Sequence, residues 1–211
     1  DTIGVNHVIA YVQRLQQPSS DFDRFINDRS YVDTDFFNEL IGTQCLREMR
    51  YADALKYFGK IPSSFQYRLN TYKDGYMKHD PFSWHAMSLI SNNTDYKYNF
   101  AREMYSLEQS INRTKEPNRK AQLQIRYAIG LENSINRCWA LTQYYRGELF
   151  WGLGHVTNLD WTKRTSWKRA NAKSERLIKE SLAMFTDRES AAYTYWLLGN
   201  NTKTMSDYPD T

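Results

Sequence analysis

Cysteine is almost missing: the 211 residues hold two, Cys45 and Cys138. That excludes a disulfide framework as the basis of the fold, and a chain of this length can build a core without one. Both lie among apolar residues in helical patterns and read as buried free thiols. Five prolines and nine glycines are also few, which leaves room for long unbroken helices. No stretch approaches the roughly 18 consecutive apolar residues of a membrane span, so no transmembrane segment is expected. Strict apolar–polar alternation is nearly absent, so no strand is expected. One-sided charge is lacking too: 28 Lys and Arg face 24 Asp and Glu, for a net +4. The densest basic run, WTKRTSWKRANAK at 161–173, holds five basic residues and reads as a solvated helix start. Trp161 and Trp167 are the rings that would stack on bases there, but nucleic acid is not an expected partner.

Patterns that carry chemistry are lacking as well. The four histidines, His7, His79, His85 and His155, form no H-x-x-x-H pair, and there is no C-x-x-C. His79, Asp80 and His85 share one irregular segment, yet a metal needs three or four converging groups, and they read as surface or structural residues. Cys138 beside Trp139 has no histidine nearby in sequence to activate it. No G-x-S-x-G, phosphate loop or dinucleotide fingerprint occurs, and GLGH at 152–155 lacks the strand and helix such a cradle needs. Glu103 and Glu108 do not share a helical face. The expectation is a protein that is not an enzyme and holds no cofactor or metal. The sequence begins at Asp1 without a methionine, which fits a segment of a longer protein or one trimmed of a targeting segment.

What is present is helical periodicity and rings. Sixteen Tyr, ten Phe and six Trp supply large buried areas from few positions. Val5, Val8, Ile9, Val12 and Leu15 follow helical spacing up to a stop at Pro18. Ser20 or Asp21 caps a second helix with Phe22, Phe25 and Ile26 on one face. A third carries Phe36, Phe37, Leu40, Ile41, Cys45 and Leu46. A turn at Arg50 leads to ADALKYFGKI, which Pro62 stops. Residues 63–93 hold turn pairs at Asp74–Gly75 and Asp80–Pro81 and read as a long irregular insertion. Helix resumes after Thr94, with Tyr98, Ala101, Met104, Tyr105, Leu107 and Ile111 on its face. Pro117 opens the next helix, with a break expected near Asn133 and Ser134. Three last helices are expected near 168–185, 187–199 and 202–207, and Asp187 with Ser190 marks a start.

Small residues sit next to large ones in the third and fourth helices. Gly42 lies late in the third and Ala54 midway along the fourth, flanked by Tyr51 and Phe58. Close crossing of two helices needs such small positions. The spacing returns in IRYAIGLENSINRCWALTQYY, with Gly130 and Ala140–Leu141, and more weakly in YTYWLLGN with Gly199. This pattern resembles the tetratricopeptide repeat, whose signature is a small residue late in helix A and then an alanine and an aromatic in helix B. The resemblance covers about half the chain, with one good unit and two degenerate ones. It implies an all-α fold of antiparallel helix pairs, near 35–61, 118–146 and 168–199, stacked as a right-handed α-solenoid with a long loop insertion, in one domain over 1–211.

The resemblance also implies a role. Stacked helix pairs leave an extended concave face, so the expected function is a protein-interaction scaffold that binds a peptide or partner protein, as in repeat proteins of Gram-negative bacterial envelopes. Cell envelope or periplasm is the compartment it favours. The face would carry Asn38, Gln44, Arg47 and Glu48 from the first pair and Arg126 and Asn133 from the second. A different reading starts from the aromatic-rich segment 65–85. There Tyr72, Tyr76, Phe82 and Trp84 would bind a carbohydrate or small ligand by stacking. A third is a structural segment of a larger solenoid, whose uncapped ends would give weak self-association.

Overall fold

The computed structural model describes residues 4–30, 33–62, 81–82, 96–136 and 165–206. All regular structure among them is helical, in eight helices: α1 Val5–Gln16, α2 Asp21–Asn27, α3 Thr34–Arg47, α4 Tyr51–Phe58, α5 Tyr96–Arg113, α6 Pro117–Asn136, α7 Thr165–Leu182 and α8 Arg188–Ser206. The expected turn pairs in 63–80, the segment 83–95, Cys138, Ala140 and the rest of 137–164 lie outside the described residues.

Local chemistry explains the starts and stops. Ser20 Oγ accepts from the backbone N–H of Asp23 at 3.1 Å, which satisfies one orphan donor of α2. Asp33 does the same for Phe36 at 3.0 Å, and Asp187 for Ser190 at 2.7 Å. Pro117 opens α6, and the Glu116 carboxylate accepts from Asn118 N at 2.8 Å. α3 ends in a left-handed turn at Met49, with φ 57°. Arg50 N donates to Cys45 O at 2.8 Å and Met49 N to Leu46 O at 3.0 Å, the bond pair that closes a helix through a left-handed residue.

Two breaks expected from the sequence are absent. α6 runs unbroken through Asn133 and Ser134 to Asn136. α8 continues across Gly199 to Ser206 as one helix, where two were expected. Asn and Gly are poor helix formers, but each costs only about 1 kcal/mol or less, and packing on a neighbour overrides that.

Helices pack chiefly on their neighbours in the chain. α3 packs on α4, α4 on α5, α5 on α6, α6 on α7 and α7 on α8, while α1 lies on both α2 and α3. One apolar cluster runs through all of them but α2, from Val5 through Ile41, Tyr51, Phe100, Met104 and Leu131 to Ile178 and Leu197. α3 is buried nearly all round, with nine of its fourteen residues inside. α2 is the opposite. Phe22 is 67% and Phe25 50% exposed, so the apolar face read from sequence looks outward. Asp23 is the residue α2 buries, and it accepts from Ser19 N and Oγ and from Arg14 Nε.

The glycines answer a question of spacing. A Cβ on Gly42 would meet the Phe58 ring at 2.5 Å, and one on Gly130 would meet the Phe82 ring at 2.6 Å and Met104 Sδ at 2.9 Å. Both are close-approach points where an aromatic ring fills the missing side chain. Gly199 differs, since no atom of the described residues lies within 4 Å of that position. Ala54, fully buried, is the small residue of α4.

Candidate functional site

Two polar networks interrupt the apolar core. The first joins α3 and α5. Glu39 and Thr43 are one turn apart on α3, and Lys97 reaches them from the start of α5; all three are essentially unexposed. Lys97 Nζ donates to Glu39 Oε1 and, at 2.7 Å, to Thr43 Oγ1. Thr43 Oγ1 is in turn 3.1 Å from Glu39 Oε1. Burial pushes the Lys97 ammonium down to about 8, against the pull of Glu39 and with a small push from Arg47. Glu39 Oε2 has no hydrogen-bond partner among the described residues. Lys97 can take a core position because its stem packs as an apolar chain and its buried ammonium is met by the Glu39 carboxylate and the Thr43 hydroxyl.

The second network ties four helices together. Tyr127 of α6 donates to Glu108 of α5 at 2.6 Å and accepts from Lys173 of α7 at 2.7 Å. Lys173 also donates to Glu108 at 3.1 Å, and its ammonium lies 4.7 Å from the Tyr127 ring centroid. Tyr51 of α4 meets Tyr127 edge-to-face, with ring centroids 6.1 Å apart. Burial holds both phenols well above the ordinary tyrosine range, so both stay neutral donors. Glu108 and Lys173 are about a third exposed, so the network reaches the surface at one edge.

The residues expected on a binding face divide. Asn38, Arg47 and Asn133 are buried, which corrects their expected place on an open face. Asn133 Nδ2 donates to Pro81 O at 2.8 Å and thereby holds that segment against α6. Gln44 and Glu48 are half-buried, and Glu48 accepts from the backbone N–H of Val5 at 3.3 Å. Arg126 alone of the six is exposed. It pairs with Glu103 at 3.1 Å, and its guanidinium lies 4.8 Å from the Phe82 ring centroid. Of the rings expected to stack on a ligand, Phe82 packs on Phe100 with centroids 5.7 Å apart and fills the space over Gly130. Its flat faces are committed within the protein. Tyr72, Tyr76 and Trp84 lie outside the described residues, as do His79, Asp80 and His85.

Glu39, Thr43, Lys97, Tyr127 and Lys173 were not singled out by sequence reading, and Glu108 was weighed only as a carboxylate pair with Glu103. One signal was present: Glu39 and Thr43 share a helical line with Arg47, inside a helix otherwise rich in apolar residues. Among the described residues no group of three His, Cys, Asp or Glu side chains converges as metal ligands, and no helix is long and apolar enough to cross a membrane. The Cys45 thiol is fully buried, and burial pushes it up to about 12, which keeps it protonated and unreactive. No protein family, curated protein or solved structure matches the chain.

Proposed function

We propose that the chain is a non-catalytic protein-interaction scaffold, built as a right-handed array of tetratricopeptide-like helix pairs, that binds a peptide or partner protein along a concave helical face. The observation that carries this reading is the packing of the helices from α3 to α8 each on its neighbours in the chain. An array held together in that way commits two sides of each inner helix to neighbours and leaves its lateral sides for a ligand. Close-approach glycines at Gly42 and Gly130, each filled by a ring, are the kind of contact such an array uses. Arg126, exposed and paired with Glu103, is the residue of the expected face that remains available, with Gln44 and Glu48 beside it in the reading.

Two measurements test the proposal. The first is shape: a compact 211-residue domain would have a radius of gyration of about 17 Å, and a curved array should scatter as a larger, elongated particle. A value at the compact figure contradicts the array. The second is binding. A displayed peptide library is selected on the immobilised chain, and an enriched peptide is titrated by calorimetry against wild type and Arg126→Gln. The expected result is saturable binding, weakened by the substitution, with amide-exchange protection along several helices. No enriched sequence, or protection confined to one end of the chain, would count against a scaffold.

A further inference from the structure

The seam between α6 and α7 is built from small residues in a regular register. Ser174 Oγ lies 3.2 Å from Ala128 O, and Ser181 Oγ lies 3.3 Å from Ala121 O. Each pair of positions is seven residues apart on its own helix, so both contacts belong to one antiparallel register. Ala121, Ala128, Ala170, Ser174 and Ser181 are all fully buried. Side-chain-to-backbone contact at these distances requires the two helices to lie unusually close, which only Ala and Ser on the facing lines allow.

Asn171 stands one turn before Ser174 on the flank of that line, and the same register sets it opposite Leu131. It is 1% exposed. Neither its Oδ1 nor its Nδ2 has a hydrogen-bond partner among the described residues. This differs from Glu39, whose other oxygen is paired by Lys97. An amide buried with no bonds at either end is strongly unfavourable, and native chains rarely leave one unrelieved. The side chains of Ile178, seven residues on along the same line, and of Leu131 carry no polar atoms, while Glu132 is a buried polar neighbour of Leu131 in sequence. Whatever completes this amide must be small enough for a seam of Ala and Ser, must be neutral, and must both donate and accept.

We propose that Asn171 anchors an internal hydration site in the α6/α7 seam. A water there accepts from Asn171 Nδ2, donates to Oδ1 or a second seam acceptor, and completes the packing of α7 on α6. Internal waters of this kind make about three hydrogen bonds and belong to the fold.

Two readouts test it on the full chain. In selectively labelled wild type, a cross-relaxation peak between water and the Asn171 side-chain amide protons is expected, with the sign of a water held for longer than molecular tumbling. Relaxation dispersion of oxygen-17 water counts long-lived internal waters, and Asn171→Leu should hold at least one fewer than wild type. Absence of the cross-relaxation peak overturns the proposal, and so does an unchanged count in a folded Asn171→Leu. If Asn171→Leu fails to fold, the wild-type cross-relaxation peak alone decides.

Discussion

Gly42, Gly130 and Gly199 look alike in sequence, each following an aliphatic residue late in a helical stretch, yet they predict opposite responses to the same substitution. Gly42→Ala sets a methyl against the Phe58 ring at 2.5 Å. That ring is buried and cannot swing aside, so we expect a loss of about 1–3 kcal/mol from overpacking. Gly199→Ala meets open space and trades a flexible helical residue for the best helix former, so a gain of about 0.5–1 kcal/mol is expected. Urea unfolding of the two variants beside wild type checks both signs, and equal effects would refute the distinction. The first two glycines were legible because a small residue near Tyr and Phe signals a close crossing. The third was not separable from them, because a sequence does not say whether a helix face has a neighbour. Burial of Asn38, Arg47 and Asn133 was illegible for a related reason. Polar residues default to solvent, and only the three-dimensional surroundings reveal that Asn133 bonds Pro81 O.

Among the helix contacts that rest on charge, two have their own pH signature. α2 is held to α1 through Asp23, whose bonds from Ser19 first and then Arg14 bring its carboxyl down to about 2. A carboxylate lowered on folding stabilises above its unfolded value near 4, and that contribution disappears as pH falls toward 2. Asp23→Asn should therefore flatten the acid limb of a pH series of thermal melts between pH 5 and 2, and an unchanged limb would show that another group governs it. The α3–α5 contact has a different logic. Lys97→Met strands the buried Glu39 carboxylate and should cost about 3–5 kcal/mol, whereas Lys97→Met combined with Glu39→Leu should recover most of the loss. A double variant no more stable than the single one would mean that the pair itself, rather than relief of a stranded charge, sets the energy. Lys97 also titrates near 8 in the fold, below its unfolded value. Between those two values the unfolded chain binds more protons, so this group adds a stability increment as pH rises through that window. The Lys97→Met variant should lack that increment. Helix positions here were readable from 3.6-residue spacing, since α1, α3, α4 and α5 fall where it places them. The charged stitch between α3 and α5 was not, because a lysine stem satisfies the same spacing as a leucine.

At the scale of the molecule, the order of helix packing sets how the fold should come apart. Periodicity says which side of a helix is covered but not which helix covers it. α6 therefore read as the partner of residues 137–146, while among the described helices it packs on α5 and, through the Ala–Ser seam, on α7 across the intervening 137–164 segment. That seam was hidden because alanine and serine give no strong apolar signal. Its closeness makes it a place to cut the array. Ser174→Leu inserts a branched side chain where Oγ now lies 3.2 Å from Ala128 O, so α7 must move away from α6. Helices bound mainly to their chain neighbours lose only what lies beyond the cut. α7 and α8 should therefore lose amide-exchange protection in this variant. α3, α4 and the start of α5 around Lys97 should keep theirs, since their own contacts and the Lys97–Glu39 pair do not cross the seam. The Tyr127–Lys173 bond does cross it, so Tyr127 fluorescence and exchange at Glu108 should change together with α7. Exchange followed by mass spectrometry resolves the segments. Uniform loss of protection from α1 to α8 would instead show a single cooperative unit, in which the continuous apolar cluster from Val5 to Leu197 dominates over the neighbour-by-neighbour order of the helices.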